Sequence, residues 1–165
     1  MPKPIPADAL DDLDLTLLGH LQRHARASHV ELSRVAHLSP PQCYRRLQRL
    51  RRLGVIREWV ALLDRERLGF GILAWISVSR NKDANEGMAE FERALRRFPE
   101  VLECYAVTGD FDYLLKVVTT DLKEFSGFMR ERLLRVPGVL TVRSAMCLEE
   151  IKHSTALPLK ADGRG

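Results

Sequence analysis

The sequence predicts an α+β protein in two parts, helices first and a βαββαβ unit after them. Three observations predict it. Residues 1–70 show helical apolar spacing and hold 12 Lys+Arg against 8 Asp+Glu, while residues 71–165 hold 14 of each, so the whole formal charge of +4 lies in the first part. Residues 39–54 combine one apolar seam with an arginine-rich face. From residue 72 onward, β-branched runs alternate with helical spacing and are broken by Gly109-Asp110 and Pro137-Gly138.

The first helix should open at an Asp11 cap and run to about Arg23, with Leu17, Leu18 and Leu21 as its stripe and Leu10 and Leu13 near its start. Ser28 with Glu31 three residues on is a capping box. It opens a shorter helix expected to bury Leu32, Val35 and Ala36 and to end near His37. A tight turn through Leu38 leads to the basic helix. There Ser39 suits the cap and Pro40 the first helical position, Gln42 stands at capping-box spacing, and Gly54 is a stop. On a wheel of about 3.6 residues per turn, Cys43, Leu47 and Leu50 share a stripe, and Arg45, Arg49 and Arg52 are expected opposite it.

Helix, helix, short turn, basic helix is the helix-turn-helix order, in which the last helix enters the major groove. No acidic residue interleaves with these arginines along the helix, so pairs within it cannot account for them. Arg is the side chain best matched to a guanine edge or a phosphate. Gln42, Arg45 and Arg49 are therefore expected at base edges with Pro41 and Tyr44 alongside, and Ser39, Arg46, Arg52 and Arg57 at phosphates of double-stranded DNA. Val55–Leu63 alternates weakly and reads as a strand, which would make the domain winged.

Asp64-Arg65-Glu66-Arg67-Leu68-Gly69 is polar and ends in Gly, and residues 64–71 read as a linker. Then follow a strand over Ile72–Arg80, a helix over Asn85–Phe98 with Met88, Phe91, Leu95 and Phe98 inward, and strands over Val101–Thr108 and Phe111–Thr119 joined at Gly109-Asp110. A helix over Leu122–Val136 with Leu122, Phe125, Met129 and Leu133 inward precedes a last strand over Val139–Ile151. This order is the ferredoxin-like split unit, with both helices on one sheet face. Trp75, Cys104 and Ala106 are expected on the other, and a subunit with an open face and edges tends to oligomerise.

His20 and His24 stand at i, i+4 with no third ligand nearby in sequence, so no metal is expected. Three cysteines, Cys43, Cys104 and Cys147, have no CxxC spacing. With no targeting core at the N-terminus, they suggest a reducing cytoplasm. The longest apolar run, around Leu68–Val78, is too short to cross a bilayer. No nucleophile motif, P-loop or dinucleotide fingerprint occurs, so neither catalytic residues nor a cofactor are expected.

Ordered motifs from Leu10 to Ser154 resemble the Lrp/AsnC (leucine-responsive, feast/famine) family of transcription regulators. They are Leu10-Asp11 with Asp14, Leu38-Ser39-Pro40 with Cys43, then Arg46, Arg49, Leu50 and Gly54. Glu103-Cys104, Gly109-Asp110-Phe111-Asp112-Tyr113-Leu114-Leu115-Lys116, Leu134, Pro137-Gly138-Val139, Glu150 and Lys152 continue them. Pro41-Gln42 and Arg51 depart from the commonest pattern. The resemblance implies a winged helix-turn-helix over residues 8–63, a linker over 64–71, an effector-binding and oligomerisation domain over 72–154 and a tail over 155–165. It further implies dimers that assemble into rings, commonly octamers, with a small molecule, usually an amino acid, bound between dimers. Carried over residue by residue, Gly109, Asp110 and Asp112 fall in the effector loop, with Tyr105 and Val107 on the strand before it. Part of the site is expected from the neighbouring subunit's last strand near Ser144–Cys147. An aspartate can meet the ammonium of an amino acid, and N–H groups around Gly109 its carboxylate.

Three rivals stand beside this reading. An architectural protein would coat DNA through phosphate contacts alone. A sirohaem-decarboxylase-like enzyme shares the two-domain layout, and the basic helix and the complete Gly-Asp-Phe-Asp-Tyr string argue against it. A sensor with a vestigial helix-turn-helix would have little use for an arginine face.

Overall fold

The computed structural model of the chain describes residues 9–81 and 87–159, the side chains of Gly87 and Met88 excepted. Asn85 as a helix start, Met88 as an inward side chain, residue 8 as a domain start and the tail beyond 159 lie outside the described residues. One compact unit combines the stretch up to Leu62 with the segment from Lys152, and the other is Leu63–Ile151.

In the first unit α1 spans Asp12–Leu21, α2 His29–Ala36 and α3 Pro40–Arg52. Capping boxes open α1, where Asp11 and Asp14 exchange backbone-to-carboxylate bonds of 2.9 and 3.2 Å, and α2, where the Glu31 N–H donates to the Ser28 hydroxyl at 3.2 Å and the Ser28 N–H to the Glu31 carboxylate at 2.8 Å. His37 adopts the left-handed conformation at φ +52°, closing α2 and turning the chain toward α3. Leu17, Leu18, Leu21, Leu32, Ala36, Cys43, Leu47 and Leu50 form one buried cluster, with Leu159 of the returning tail packed against it. Val35, expected inside, is exposed, because Leu32 and Ala36, one turn apart, already fill the inward stripe of this short helix.

The expected strand over Val55–Leu63 does not form. The Val55 and Ile56 N–H groups turn back to the Leu50 carbonyl at 3.0 and 3.4 Å, and both side chains pack on the helical core. Residues 57–63 have no strand partner among the described residues, so their backbone has no ladder to join and no wing is built. Trp59, Val60, Leu62 and Leu63 are exposed along them.

In the second unit β1 is Ile72–Arg80, α4 Gly87–Leu95, β2 Val101–Ala106, β3 Tyr113–Thr119, α5 Leu122–Gly127 and β4 Val139–Met146. The strands form one antiparallel sheet in the order β2-β3-β1-β4, the split arrangement the element order implies. Ala74, Ile76, Val78, Tyr113, Leu115 and Val117 face the helices and join Phe91, Leu95, Phe125, Phe128, Leu133 and Val136 in the core. β4 stops at Met146, because after the Cys147 N–H bonds the Leu73 carbonyl at 2.8 Å, β1 offers no further partner.

The single helix expected over Leu122–Val136 is divided. α5 gives way to a π turn over Phe128–Arg132 and a 3₁₀ turn over Leu133–Arg135. The buried residues Phe125, Phe128, Leu133 and Val136, spaced three, five and three apart, lie on α5, the π turn, the 3₁₀ turn and the residue that closes it. The wide turn spans the five and the tight turn the final three. Leu122, expected inward, stands at the first position of α5 and is 59% exposed, while Phe128 is buried in the core. On the sheet, Trp75 faces away from the helices as expected. Cys104 and Ala106 do not: the register pairs them with the buried Leu115 and Tyr113, on the helix side.

Candidate functional site

On α3 the seam of Cys43, Leu47 and Leu50 is buried as expected. Ser39 donates from both its backbone N–H and its hydroxyl to Gln42 Oε1 at 2.9 Å, which turns the Gln42 carbonyl inward and leaves its amide hydrogens without a protein acceptor among the described residues. Pro41 is exposed, and Tyr44, half exposed, meets His29 edge-on at 5.4 Å. Arg45, Arg51 and Arg52 are exposed with no ion-pair partner among the described residues. Arg57 is exposed on the extended segment that follows.

Arg46 and Arg49 are placed differently from the expectation. Arg46 Nη1 donates to Asp11 at 2.7 and 2.9 Å and to Asp14 at 2.8 Å. Arg49 Nη2 pairs with the other Asp14 oxygen, and its Nη1 donates to the Ala9 carbonyl at 3.0 Å. Asp14 is wholly buried. The arginines thus do have acidic partners, supplied by α1 rather than by their own helix. Burial works against ionisation of Asp11, but hydrogen bonds from the Asp14 N–H and from Arg46 outweigh it and hold its carboxyl below the usual range. The Asp11/Asp14 capping spacing was visible in the sequence. Its second use, as an arginine receptor for a helix over thirty residues away, was not.

In the second unit the loop from Val107 to Asp112 joins β2 to β3. The Val107 N–H bonds the Asp112 carbonyl and the Asp112 N–H bonds the Val78 carbonyl, both at 3.0 Å. Asp112 Oδ2 accepts the Arg80 N–H at 2.7 Å. Gly109 sits at φ +121°, a conformation that side chains disfavour. Val107 and Asp112 therefore brace the loop, Gly109 lets it turn, and Asp110 is left exposed at its tip. Asp110 lines a depression of about 420 Å³ with Phe111, Ser77 and Ser79 of β1, and Thr141 and Arg143 of β4. The register pairs Ser77 with Arg143 and Ser79 with Thr141, so all four share the face away from the helices.

Tyr105 does not line this depression. Its hydroxyl donates to Glu103 at 2.7 Å, Lys116 Nζ bonds Glu103 at 3.1 Å, and Lys116 lies 5.8 Å from the Trp75 ring, a network toward the β2 edge. The expectation for Ser144–Cys147 concerns the last strand of a neighbouring subunit; in this chain's own β4, Ser144 pairs with the buried Ile76 and points to the helix side. Within the chain, Thr141 and Arg143 are the β4 residues at the depression, which the sequence reading did not name, and the β1–β4 register, a long-range pairing, brings them in. His20 and His24 stack with ring centres 4.6 Å apart. Among the described residues no three His, Cys, Asp or Glu side chains converge as metal ligands, and no helix is long and apolar enough to cross a membrane.

Comparisons with known proteins match the chain in two parts. Residues 10–51 match the AsnC-type helix-turn-helix domain and residues 73–157 the Lrp/AsnC ligand binding domain. The leucine-responsive regulatory proteins of Escherichia coli K12 and Salmonella typhimurium are 38% identical over 158 residues, 96% of each chain. A transcriptional regulator of Neisseria meningitidis, solved as its L-Met complex, superposes with a TM-score of 0.88 at 43% identity, over 92% of this chain and 97% of that one. An AsnC family regulator of Agrobacterium tumefaciens gives 0.85 at 34% identity, over 91% and 97%.

Proposed function

The chain belongs to the Lrp/AsnC family of transcription regulators, with a helix-turn-helix and a ligand-binding domain, and from that premise we propose how its own residues read DNA and sense a ligand. α3 lies in the major groove of double-stranded DNA. Gln42, with its amide hydrogens free, and Arg45 meet base edges beside Pro41 and Tyr44. Arg52 and Arg57 contact phosphates, and Ser39 stands at the helix N-terminus where a phosphate also fits. The observation that carries this reading is the exposed, unpaired Arg45 and Arg52 on the side of α3 away from its buried seam.

The effector is a small α-amino acid, a reading supported by the L-Met complex of the Neisseria relative. In the depression at the loop, Asp110 meets the ammonium and Arg143 the carboxylate, with the hydroxyls of Ser77, Ser79 and Thr141 between them. The protein acts as a homo-oligomer in the cytoplasm, a dimer that assembles toward an octamer. The unpaired segment over residues 57–63 and the open sheet face are surfaces that a second copy would cover. No catalytic step is assigned. Ligand binding changes the spacing of paired reading heads and hence the half-sites they occupy together, a coupling between two sites.

A gel shift on DNA from upstream of the protein's own gene tests this, with excess unrelated DNA and with or without pooled amino acids. A complex that survives the competitor and responds to the pool is expected. A complex that any DNA competes away equally would favour the architectural reading, for which the exposed Arg51 and Arg52 provide phosphate contacts.

A further inference from the structure

Asp14 is the one wholly buried charged side chain among the described residues. A buried carboxylate is costly unless it is paired and hydrogen-bonded. Here three donors converge on it: Arg46 Nη1 at 2.8 Å, Arg49 Nη2, and the Asp11 N–H at 3.2 Å. Arg46 and Arg49 come from successive turns of α3, three residues apart on one flank of its buried seam. Arg49 also reaches the Ala9 carbonyl at 3.0 Å, just ahead of α1, and Arg46 reaches Asp11. Two guanidinium groups from adjacent turns, held by one carboxylate, set both the height of α3 along α1 and its rotation about its own axis. The packed leucines Leu47 and Leu50 hold α3 against the core, and the directional bonds to Asp14 add a constraint on its rotation that apolar contacts, which have no preferred direction, do not supply. That rotation decides whether Gln42 and Arg45 point at base edges.

From this geometry we infer that Asp14 is a positioning residue for DNA reading: it clamps Arg46 and Arg49, orients the reading helix, and withdraws both arginines from the phosphate-contacting set. The inference rests on the reading that α3 contacts DNA. It separates two kinds of arginine on one helix. Arg45 and Arg52 act on the nucleic acid. Arg46 and Arg49 act through Asp14, and their positive charge is already matched by the Asp11 and Asp14 carboxylates.

Salt dependence of binding distinguishes the two kinds, because each phosphate contact contributes about 0.9 to the slope of log K against log salt on duplex DNA. Full-length protein and the variants Arg45→Gln, Arg52→Gln, Arg49→Gln, Arg49→Lys and Asp14→Asn would be titrated on the upstream fragment and on random DNA, with helical content checked at the assay temperature. A cation that contacts phosphate flattens the slope when removed, so Arg52→Gln should do so on both DNAs and Arg45→Gln on random DNA. Arg49→Gln should leave the slope unchanged on both, yet reduce the ratio of specific to random affinity about tenfold, with Arg49→Lys restoring part of it through a single bond to Asp14. Asp14→Asn should lose discrimination with an equal or steeper slope, because two cations are released. Should Asp14→Asn fail to fold, the Arg49 pair carries the test. An Arg49→Gln protein that is fully folded, keeps discrimination and flattens the slope as Arg52→Gln does would overturn the clamp. A parent protein with no affinity for either DNA would overturn the DNA-reading premise instead.

Discussion

Leu50 is fully buried in the seam of α3 and reports how much the helical unit depends on a few side chains. Leu50→Ala should cost about 2–5 kcal/mol through lost burial and a residual cavity. A urea titration followed by helical circular dichroism would register it as an earlier transition, and an unchanged midpoint would contradict the packing described. Gly138 tests backbone conformation. It sits at φ +84°, and an added Cβ would approach Arg80 Nη2 to 3.2 Å. Gly138→Ala should therefore destabilise the sheet unit by about 1–3 kcal/mol, a cost typical of a left-handed non-glycine residue, which thermal unfolding would measure. If the depression at the Val107–Asp112 loop is the proposed amino-acid site, Asp110→Asn and Arg143→Gln should each weaken amino-acid binding at least tenfold by calorimetry. Asp112→Ala should instead lower stability, because it removes the oxygen that accepts the Arg80 N–H.

At the scale of the element, the helices of the first unit are set by their starts. Asp11 and Ser28 both open capping boxes, and each box contains a carboxylate that folding holds in its charged form. For Asp11, burial opposes ionisation but the Asp14 N–H and Arg46 outweigh it, and for Glu31 the bonds with Ser28 lower the carboxyl directly. A group depressed in this way adds stability above its unfolded value, and that stability is lost as pH falls through the folded one. The helical unit should therefore keep its thermal midpoint from neutrality down to about the ordinary Asp and Glu values near 4, and lose it progressively below them. A midpoint that stayed flat below those values would remove the argument. Replacing Ser28 by Ala should shift the onset, since it deletes the hydroxyl that accepts the Glu31 N–H. After α5 the chain passes through π and 3₁₀ turns while Phe128, Leu133 and Val136 stay buried, so burial on one side survives the change of helical pitch.

For the whole molecule, the chain leaves the helical unit near Leu62, builds the sheet unit, and returns at Lys152. The return is held by named contacts. Gln22 Oε1 accepts the Leu157 N–H at 2.6 Å, Gln22 Nε2 donates to the Leu157 carbonyl at 3.1 Å, and Leu159 packs on the leucine core. Deleting the chain from Ser154 onward should lower the stability of the helical unit by about 1–3 kcal/mol, the worth of two hydrogen bonds, and leave the sheet unit's transition where it was. Calorimetry that resolves the two transitions would check this, and an equal shift of both would contradict it.

What the sequence alone determined is what short-range chemistry encodes. Helix starts at Asp11, Ser28 and Ser39 follow from side chains within three residues of the cap, and the seam of Cys43, Leu47 and Leu50 from helical spacing. The strand order follows from the alternation of elements, and the exposed Asp110 from a loop string that is itself contiguous. Only tertiary structure decided which arginines are free, because Arg46 and Arg49 find Asp14 across more than thirty residues of chain. It also decided that Arg143 and Thr141 join Asp110, through the β1–β4 register, and that residues 57–63 lack a ladder, since a strand exists only where another strand meets it. The physical reason is common to all three. A cap or an amphipathic stripe is satisfied by neighbours in sequence, whereas a buried charge or a ladder bond is satisfied by a partner that only the folded chain brings near.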